Sequence, residues 1–521
     1  MPPPDRRIAV IGGGPMAIYL VKHLIQNPSA LQIEIFESHD QAGAGMPYRS
    51  DLNDDFMLAN IFSREIPPIA QPLADWLRSQ PAEFLHRWQI TPQDVSGRDF
   101  YPRTLLGVYL QAQLRRLMVI GQEAGHSITL RAGHPVQDIR PDADGFTVLP
   151  DAPGRFSHLV IATGHIWDAN PQMGTAALHS PWPAARLRGL PAGPIGILGS
   201  SLSAVDVAVA LAHDPGQFAE SAVGLEWSPN PGHEGLSITM ISKNGILSEA
   251  DFHYPYPYEP LLHLTDTAVQ AMISAQPGHT LQGVFDLLLR ELVACDPDYV
   301  SGLDMPEQTI EAFGAAYFAR RQRLGPFRAL RLNLAESRKT IARQQTVPSR
   351  YALLRGHEAF ELVMPHLTAP EWDRFRSHLL PVFADCYAAV PHLSLDRLAA
   401  LRAAGVIDII DCGDDAVFSG DAQIGVTVTI GGQALQFDCM IDARGQKAAG
   451  VDALPFSGLV RALQDPKAEL AESFELDLLP HFSRGAYCLA MPQVLVKRPF
   501  SQGLPNCDAL ARQVAAHLLA S

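Results

Sequence analysis

The chain has 521 residues, which is too long for one ordinary hydrophobic core and predicts two or three packed units. Hydrophobic residues make up 47% of it and charged residues 18%, so its composition is that of a globular protein and excludes a disordered chain. The net charge of −15 argues against a nucleic-acid scaffold, because neutralising phosphates requires a basic face.

The first residues and the cysteines both favour a cytoplasmic protein. Residues 1–7 are Pro-rich and charged, and the apolar run that follows leads directly into glycines, which is not the pattern of a signal peptide. No apolar stretch reaches the roughly 18 residues of a membrane span, so we expect no membrane contact. The six cysteines include no Cys-x-x-Cys pair, which argues against a disulfide scaffold, a metal site and the dithiol of a disulfide reductase.

The first predicted element is a buried strand from Arg7 to Ile11 that runs into a glycine turn. Residues 12–17, GGGPMA, fit the pattern G-x-G-x-x-A, and apolar spacing from Ile18 to Ile25 predicts a helix. In this pattern the first glycine allows the bend, the second lets the backbone approach a pyrophosphate, and the helix N-terminus attracts the anion. The predicted dinucleotide contacts are Gly12, Gly14, Pro15, Met16 and Ala17.

The second predicted strand, residues 32–37, ends in the acid Glu37. This acid follows the first glycine by about 25 residues, close to the spacing of about 20 that is typical of dinucleotide-binding units. A carboxylate there accepts hydrogen bonds from ribose hydroxyls and repels a 2′-phosphate. Strand, turn, helix, strand and acid in this order predict a dinucleotide site.

Residues 194–206 predict another strand–turn–helix unit, with the pattern G-x-S-x-x-A. Its candidate nucleotide contacts are Gly199, Ser200, Ser201, Leu202 and Ser203. The paired strand, residues 236–242, ends in Ser242 and Lys243, and a hydroxyl beside a cation suits a 2′-phosphate. NADPH is therefore favoured over NADH; an ordinary parallel-sheet turn followed by a surface lysine is the alternative.

Residues from about 265 to 410 have mainly helical patterning and carry a dense run of arginines. One interpretation is a solvated helix face that pairs with acids elsewhere. The other is a positively lined cavity that binds an anionic substrate or the phosphates of NADPH. The candidate substrate residues in this run are Arg328, Arg331 and Arg350.

Three further segments resemble those of known flavoproteins. Residues 158–164, HLVIATG, and 437–445, FDCMIDARG, are similar to the ATG segment and the return strand of flavoprotein reductases and monooxygenases. Residues 174–182, GTAALHSPW, resemble the fingerprint of class B flavoprotein monooxygenases with one residue of altered spacing; a loop capped by His and Ser is the alternative.

Together these segments resemble the FAD/NAD(P)-binding flavoproteins related to class B and N-hydroxylating monooxygenases, including aspartate N-hydroxylase-like and urate hydroxylase-like proteins. The resemblance implies an α/β fold with two Rossmann-like dinucleotide-binding domains, a glutathione-reductase-like FAD domain and an inserted NAD(P)H domain, plus a mainly helical substrate region. The predicted boundaries are 1–185 for the first part of the FAD domain, 186–265 for the NAD(P)H domain, 266–410 for the helical region and 411–521 for the FAD return segment and C-terminal helix.

The resemblance also implies the chemistry. NADPH at the second turn would reduce FAD at the first, and a C4a-(hydro)peroxyflavin formed with O₂ would hydroxylate a small polar, anionic substrate, such as the amine of aspartate. Urate-type hydroxylation, a reductase or dehydrogenase without oxygen insertion, and a redox sensor are the alternatives, and a homo-oligomer is compatible with each. The further cofactor contacts that it implies are Arg103, Thr163, Gly164, Arg444, Gly445, Gln502 and Gly503, with Arg64 as a possible substrate contact.

Overall fold

The computed structural model describes residues 6–150, 152, 154–190, 193–222, 224–274, 278–387, 389–421 and 425–520. The strands in chain order are β1 (Arg7–Ile11), β2 (Gln32–Phe36), β3 (Ser127–Arg131), β4 (Asp138–Asp142), β5 (Gly145–Leu149), β6 (His158–Ile161), β7 (Gln172–Met173), β8 (Ala176–Ala177), β9 (Pro194–Leu198), β10 (Gly216–Ser221), β11 (Gly224–Pro229), β12 (Ser237–Ser242), β13 (Ile407–Asp411), β14 (Val417–Asp421), β15 (Gly425–Ile430), β16 (Gln433–Phe437), β17 (Cys439–Asp442) and β18 (Ala486–Cys488).

The α-helices in chain order are α1 (Pro15–Leu24), α2 (Leu73–Arg78), α3 (Ala82–Arg87), α4 (Arg103–Glu123), α5 (Leu202–His213), α6 (Asp266–Ile273), α7 (Thr280–Cys295), α8 (Pro297–Gly302), α9 (Ile310–Leu324), α10 (Pro326–Arg343), α11 (Pro348–Val363), α12 (Ala369–His378), α13 (Leu380–Tyr387), α14 (His392–Ala403), α15 (Ser457–Val460), α16 (Met491–Val494) and α17 (Leu504–Ala520). None of the helices in the described ranges is both long and apolar enough to cross a membrane.

The chain divides into two compact units. The first unit comprises Met1–Trp167 and Gln446–Ser521, and the second comprises Asp168–Gly445. The first unit is built on a parallel sheet with the strand order β18-β6-β1-β2-β3. Its central strand β1 is apolar and buried from Ile8 onwards, as expected for a strand that helices cover on both faces.

The second unit contains another parallel sheet, with the order β13-β12-β9-β17. The helices α6 to α14 lie in the chain between its adjacent strands β12 and β13. Among them α7 buries Leu281, Val284, Phe285 and Leu288 at helical spacing, which explains why this segment folds as a helix against its neighbours. The predicted α/β class with two nucleotide-type sheets and a helical region is confirmed.

The partner of strand β17 corrects one assignment made from the sequence. Residues 411–445 were expected to return to the first nucleotide domain, but Cys439 pairs with Ile195 of β9, and β18 occupies the place beside β6. A short buried strand followed by a glycine suits either parallel sheet, so its local pattern does not select the sheet. The two compact units divide at 167/168 and 445/446, whereas the boundaries expected from the sequence are at 185/186, 265/266 and 410/411.

Candidate functional site

The first glycine turn lies at the carboxyl end of β1. Gly12 has a φ of +104°, and a Cβ atom there would stand 2.3 Å from the carbonyl oxygen of Ala162. Its amide donates to the carbonyl of Phe36 at 2.8 Å. Both the backbone conformation and the contact require glycine, so the sharp bend predicted for this residue is present.

The N-terminus of helix α1 is open to an anion. Gly14 is its N-cap residue and supplies no side chain to cap it, and Pro15 occupies the first turn without an N–H group. A Cβ atom on Gly14 would meet the Cα of Gly45 at 3.3 Å. The remaining first-turn N–H groups, including those of Met16 and Ala17, are therefore available to a pyrophosphate.

Glu37 follows β2 and contacts the glycine turn directly. Its Oε2 accepts a hydrogen bond from the Gly13 amide at 2.9 Å, and its Oε1 accepts one from the His39 amide at 2.9 Å. The carboxylate retains lone pairs for further donors, which is the chemistry a ribose hydroxyl requires. The predicted acid thus stands beside the predicted anion site.

A cavity of about 310 Å³ crosses the carboxyl ends of β2, β1, β6 and β18. Besides the glycine turn, Glu37 and residues 162–164, its lining includes Gly503 and Leu504 at the start of α17. Residues that the sequence analysis did not single out as cofactor contacts also line it: Ser38, Gln41, Gly45, Met46, Pro47, Tyr48, Arg49, His165, Leu489, Met491 and Cys507. The stretch at residues 43–48 and the residue after the ATG segment were the sequence signals that could have identified part of this set.

Two polar atoms in this lining are buried and have no hydrogen-bond partner. They are the Oγ1 of Thr163 and the Nδ1 of His165. Because buried polar atoms in proteins are rarely left without partners, these two atoms fit a cavity that a polar ligand fills. Together with the open helix N-terminus and Glu37, they fit a dinucleotide such as FAD.

Of the other predicted contacts in the first unit, some line this cavity and some lie outside its lining. Arg103 begins helix α4, and its charge acts on the pKa values of Tyr48 and His165, which both line the cavity. Gly503 lines the cavity with a φ of +118°, whereas Gln502 is not among the lining residues. Arg64 is exposed and outside the lining, with its guanidinium 6.0 Å from the ring centre of Phe62.

The second glycine turn has the same local design. Gly199 has a φ of +126°, and a Cβ atom there would lie 2.9 Å from the carbonyl oxygen of Ala443. Ser201 is the N-cap residue of α5 but does not cap it with its side chain; its Oγ accepts instead from Ser248 at 3.1 Å. This helix N-terminus is thus also open to an anion, and Ser200, Leu202 and Ser203 surround it in the chain.

The end of strand β12 carries the predicted hydroxyl and cation. The Oγ of Ser242 is buried without a hydrogen-bond partner, and the Nζ of Lys243 pairs with Asp414 at 2.7 Å. Both members of that ion pair are largely exposed, at 66% and 74%, so the pair is weak and Lys243 can exchange partners. In the sheet, Ser242 stands opposite Asp411 of β13.

Arg444 and Gly445 belong to the second turn and not to the first. They follow β17, whose end approaches Gly199 through Ala443. The guanidinium of Arg444 makes two hydrogen bonds to Asp442, at 2.8 and 2.7 Å, and this bonding raises the pKa of Arg444. Both residues were predicted as cofactor contacts, and the structure places them in the second unit, since the return strand lies in its sheet.

The candidate substrate arginines do not come together in one cavity. Arg328 and Arg331 are exposed on helix α10. Arg350 is mostly buried; its Nε pairs with Glu249 at 3.0 Å and its Nη2 donates to the Ala250 carbonyl at 2.6 Å. The solvated-face interpretation therefore fits Arg328 and Arg331, and an internal ion pair fits Arg350.

Arg350 is part of a buried ionic network. Arg321 pairs with Asp385 at 2.6 Å and lies 3.9 Å from Glu249, and Tyr317 donates to Asp385 at 2.7 Å. Burial opposes the ionisation of Glu249, but the guanidinium groups of Arg350 and Arg321 hold its pKa below the usual value. Two buried cations thus face two carboxylates, and the exposed Arg320 adds a third positive charge near Glu249.

Two segments of the chain match known protein families. Residues 9–166 match the FAD-NAD(P)-binding family, and residues 265–387 match the YdhS-like middle domain. Over 521 residues the chain is 36% identical to the uncharacterized protein YdhS of Escherichia coli strain K12, covering 98% of this chain and 97% of that protein. The first match confirms the predicted FAD and nicotinamide cofactor class, and with it the prediction of an FAD-dependent oxidoreductase.

The fold is also that of solved flavin enzymes. An ornithine N-hydroxylase from Kutzneria sp. 744 aligns over 99% of both chains with 13% identity and a TM-score of 0.50. An L-lysine 6-monooxygenase from Pseudomonas syringae aligns over 99% of both chains with 14% identity and a TM-score of 0.48. At 13% identity, the similarity to the ornithine N-hydroxylase shows a shared fold and nothing more specific.

Proposed function

The chain belongs to the YdhS family, and we propose that it is an NADPH-dependent FAD monooxygenase that hydroxylates a small polar substrate. The most specific form of the proposal is N-hydroxylation of an amino acid such as aspartate, with urate-type hydroxylation as the second substrate class. The observation that carries it is the pair of glycine turns at Gly12 and Gly199, each at the end of a parallel strand and before a helix without a side-chain cap. The fold likeness to an ornithine N-hydroxylase supports the reaction type.

The first unit would bind FAD through backbone groups and the carboxylate of Glu37. The N-terminus of α1 would bind the pyrophosphate, and Glu37 would accept hydrogen bonds from the ribose. The N-terminus of α17 would provide positive potential to the cavity beside Gly503. When bound, FAD would accept the hydride and react with O₂, so the protein needs no catalytic triad for this chemistry.

The second unit would bind NADPH at the turn around Gly199. The first-turn N–H groups of α5 would receive its pyrophosphate, and Ser242 and Lys243 its 2′-phosphate. Lys243 would then exchange Asp414 for the phosphate, which the exposure of that ion pair permits. Ser242 adds a hydroxyl that has no partner within the protein.

Lys243→Ala is expected to raise the KM for NADPH about tenfold and to leave the KM for NADH within about twofold, since a charge-assisted hydrogen bond contributes about 1.5–3 kcal/mol and exposure reduces it. Steady-state rates with both nucleotides measure the effect. Asp414→Asn should lower the KM for NADPH, and Lys339→Ala, another exposed lysine of the same unit, serves as the matched control. Equal KM values for NADPH in Lys243→Ala and the wild type would contradict the role of this strand end.

The reaction type is tested by following oxygen into the product. Acidic amino acids and purines are screened for stimulated NADPH oxidation, and the products are analysed by mass spectrometry under isotopically labelled O₂. We expect one substrate class to yield a product with one labelled oxygen atom per NADPH consumed. Consumption of NADPH with only hydrogen peroxide or a reduced quinone as product would contradict oxygen insertion and favour a reductase.

A further inference from the structure

We propose that His165 binds the isoalloxazine ring of FAD, accepting a hydrogen bond from its N3–H group through Nδ1. This inference rests on the binding of FAD in the cavity of the first unit and is independent of oxygen insertion. His165 would be a positioning residue for the flavin.

His165 lies on one side of the glycine turn. It follows Gly164, which has a φ of +70°, just beyond the carboxyl end of β6. It lines the cavity on the β6 side of the glycine turn, whereas Glu37 lies on the β2 side. If Glu37 binds the adenosine ribose, the β6 side of the cavity receives the flavin half of the dinucleotide.

The contacts of Gln446 indicate which ring nitrogen of His165 accepts. The Nε2 of Gln446 donates to the Lys447 carbonyl at 3.0 Å, and its Oε1 accepts from the Ile166 amide at 2.8 Å. Gln446 also raises the pKa of the neighbouring His165, as an acceptor near a ring N–H group does. Because Nδ1 is buried without a partner, we assign the ring proton to Nε2, and in that tautomer Nδ1 carries the lone pair.

The imidazole ring of His165 is uncharged, as an accepting ring nitrogen requires. Burial lowers the pKa of His165 to about 4; Gln446 acts in the opposite direction, and the nearby charge of Arg103 lowers the pKa further. The imidazole is therefore neutral at physiological pH, and this cavity-lining residue has an unsatisfied ring nitrogen. An acceptor left unsatisfied there would cost free energy, so a ligand that donates is favoured.

The chemistry of oxidised flavin selects the donor. Among the nitrogens and oxygens of the oxidised isoalloxazine ring only N3 carries a hydrogen, whereas N1, N5 and the two carbonyl oxygens are acceptors. The ring itself can therefore satisfy Nδ1 in the resting state only through N3–H. The ribityl hydroxyls are the other donors of that half of FAD, and the experiment separates them from N3–H.

The test compares His165→Gln with His165→Asn in FAD titrations of the apoprotein, followed by flavin fluorescence. The Oδ1 of asparagine can take the place of Nδ1, whereas glutamine extends towards Gln446 and leaves the Nδ1 position without an acceptor. We expect His165→Gln to raise the Kd of FAD about tenfold and His165→Asn to keep it within about threefold. His158→Gln, at the half-buried histidine that begins β6 and lies outside the cavity lining, is the control and should bind FAD as the wild type does.

Reconstitution with N3-methyl-FAD identifies the donor. The wild type should lose about tenfold more affinity on N3-methylation than His165→Gln, because only the wild type has the bond to lose. An unchanged Kd for FAD in a folded His165→Gln variant would overturn the inference, and an equal loss on N3-methylation in both proteins would overturn the assignment to N3–H. A wild-type protein that binds no FAD would instead refute the proposed function itself.

Discussion

Gly14→Ala is expected to raise the Kd of FAD by at least about 100-fold while leaving the fold intact, because the second glycine of this turn lets the backbone approach the pyrophosphate. The substitution is mild for the protein itself. Gly14 has a φ of −82°, which alanine adopts without strain; its Cβ would lie 3.3 Å from the Cα of Gly45, so that the backbone of Gly45 has to shift slightly. The methyl group would instead occupy space that the phosphates need at the N-terminus of α1.

The measurement is the flavin content of the purified protein, followed by FAD titration of the apoprotein. Thermal unfolding of the apo forms should give the same midpoint for Gly14→Ala and the wild type. Gly302→Ala is the matched control, since a Cβ atom there meets no other atom within 4 Å and the residue lies in the second unit. A Gly14→Ala protein that retains wild-type affinity for FAD would show that the dinucleotide does not bind at this turn.

Arg350→Met is expected to lower the free energy of unfolding by about 3–5 kcal/mol, because it leaves the carboxylate of Glu249 buried without its closest cation. The two side chains are only 13% and 22% exposed, so water replaces the lost partner poorly. Loss of the hydrogen bond to the Ala250 carbonyl and of the contact with the Phe252 ring, 4.1 Å from the guanidinium carbon, adds to the effect. Chemical denaturation and thermal unfolding measure it.

The controls separate an internal ion pair from a substrate site. Arg328→Met and Arg331→Met are expected to change stability by no more than about 0.5 kcal/mol, because both residues are exposed. The double variant Arg350→Met with Glu249→Gln should recover part of the stability, since the uncompensated charge is then removed. If Arg350→Met kept wild-type stability and raised the KM of an anionic substrate, the substrate role first predicted for Arg350 would be favoured.

The sequence by itself determined both nucleotide turns. The patterns around Gly12 and Gly199 are contiguous: an apolar strand, a glycine that needs positive φ, and a helix whose first turn has no side-chain cap. Glu37 was equally predictable, since the end of the next parallel strand lies beside the turn. Such local patterns carry their own geometry, because backbone sterics and strand pairing over a few tens of residues decide them.

Only the tertiary structure decided where distant segments meet. The strand at Cys439–Asp442 joins the second sheet, and Arg350 meets Glu249 about 100 residues earlier in the chain. The cavity residue His165 has Gln446 as a neighbour, from a segment that returns after the whole second unit. A buried strand can pair with any open parallel edge and an arginine with any acid within reach, so the packing of the complete chain selects the partners.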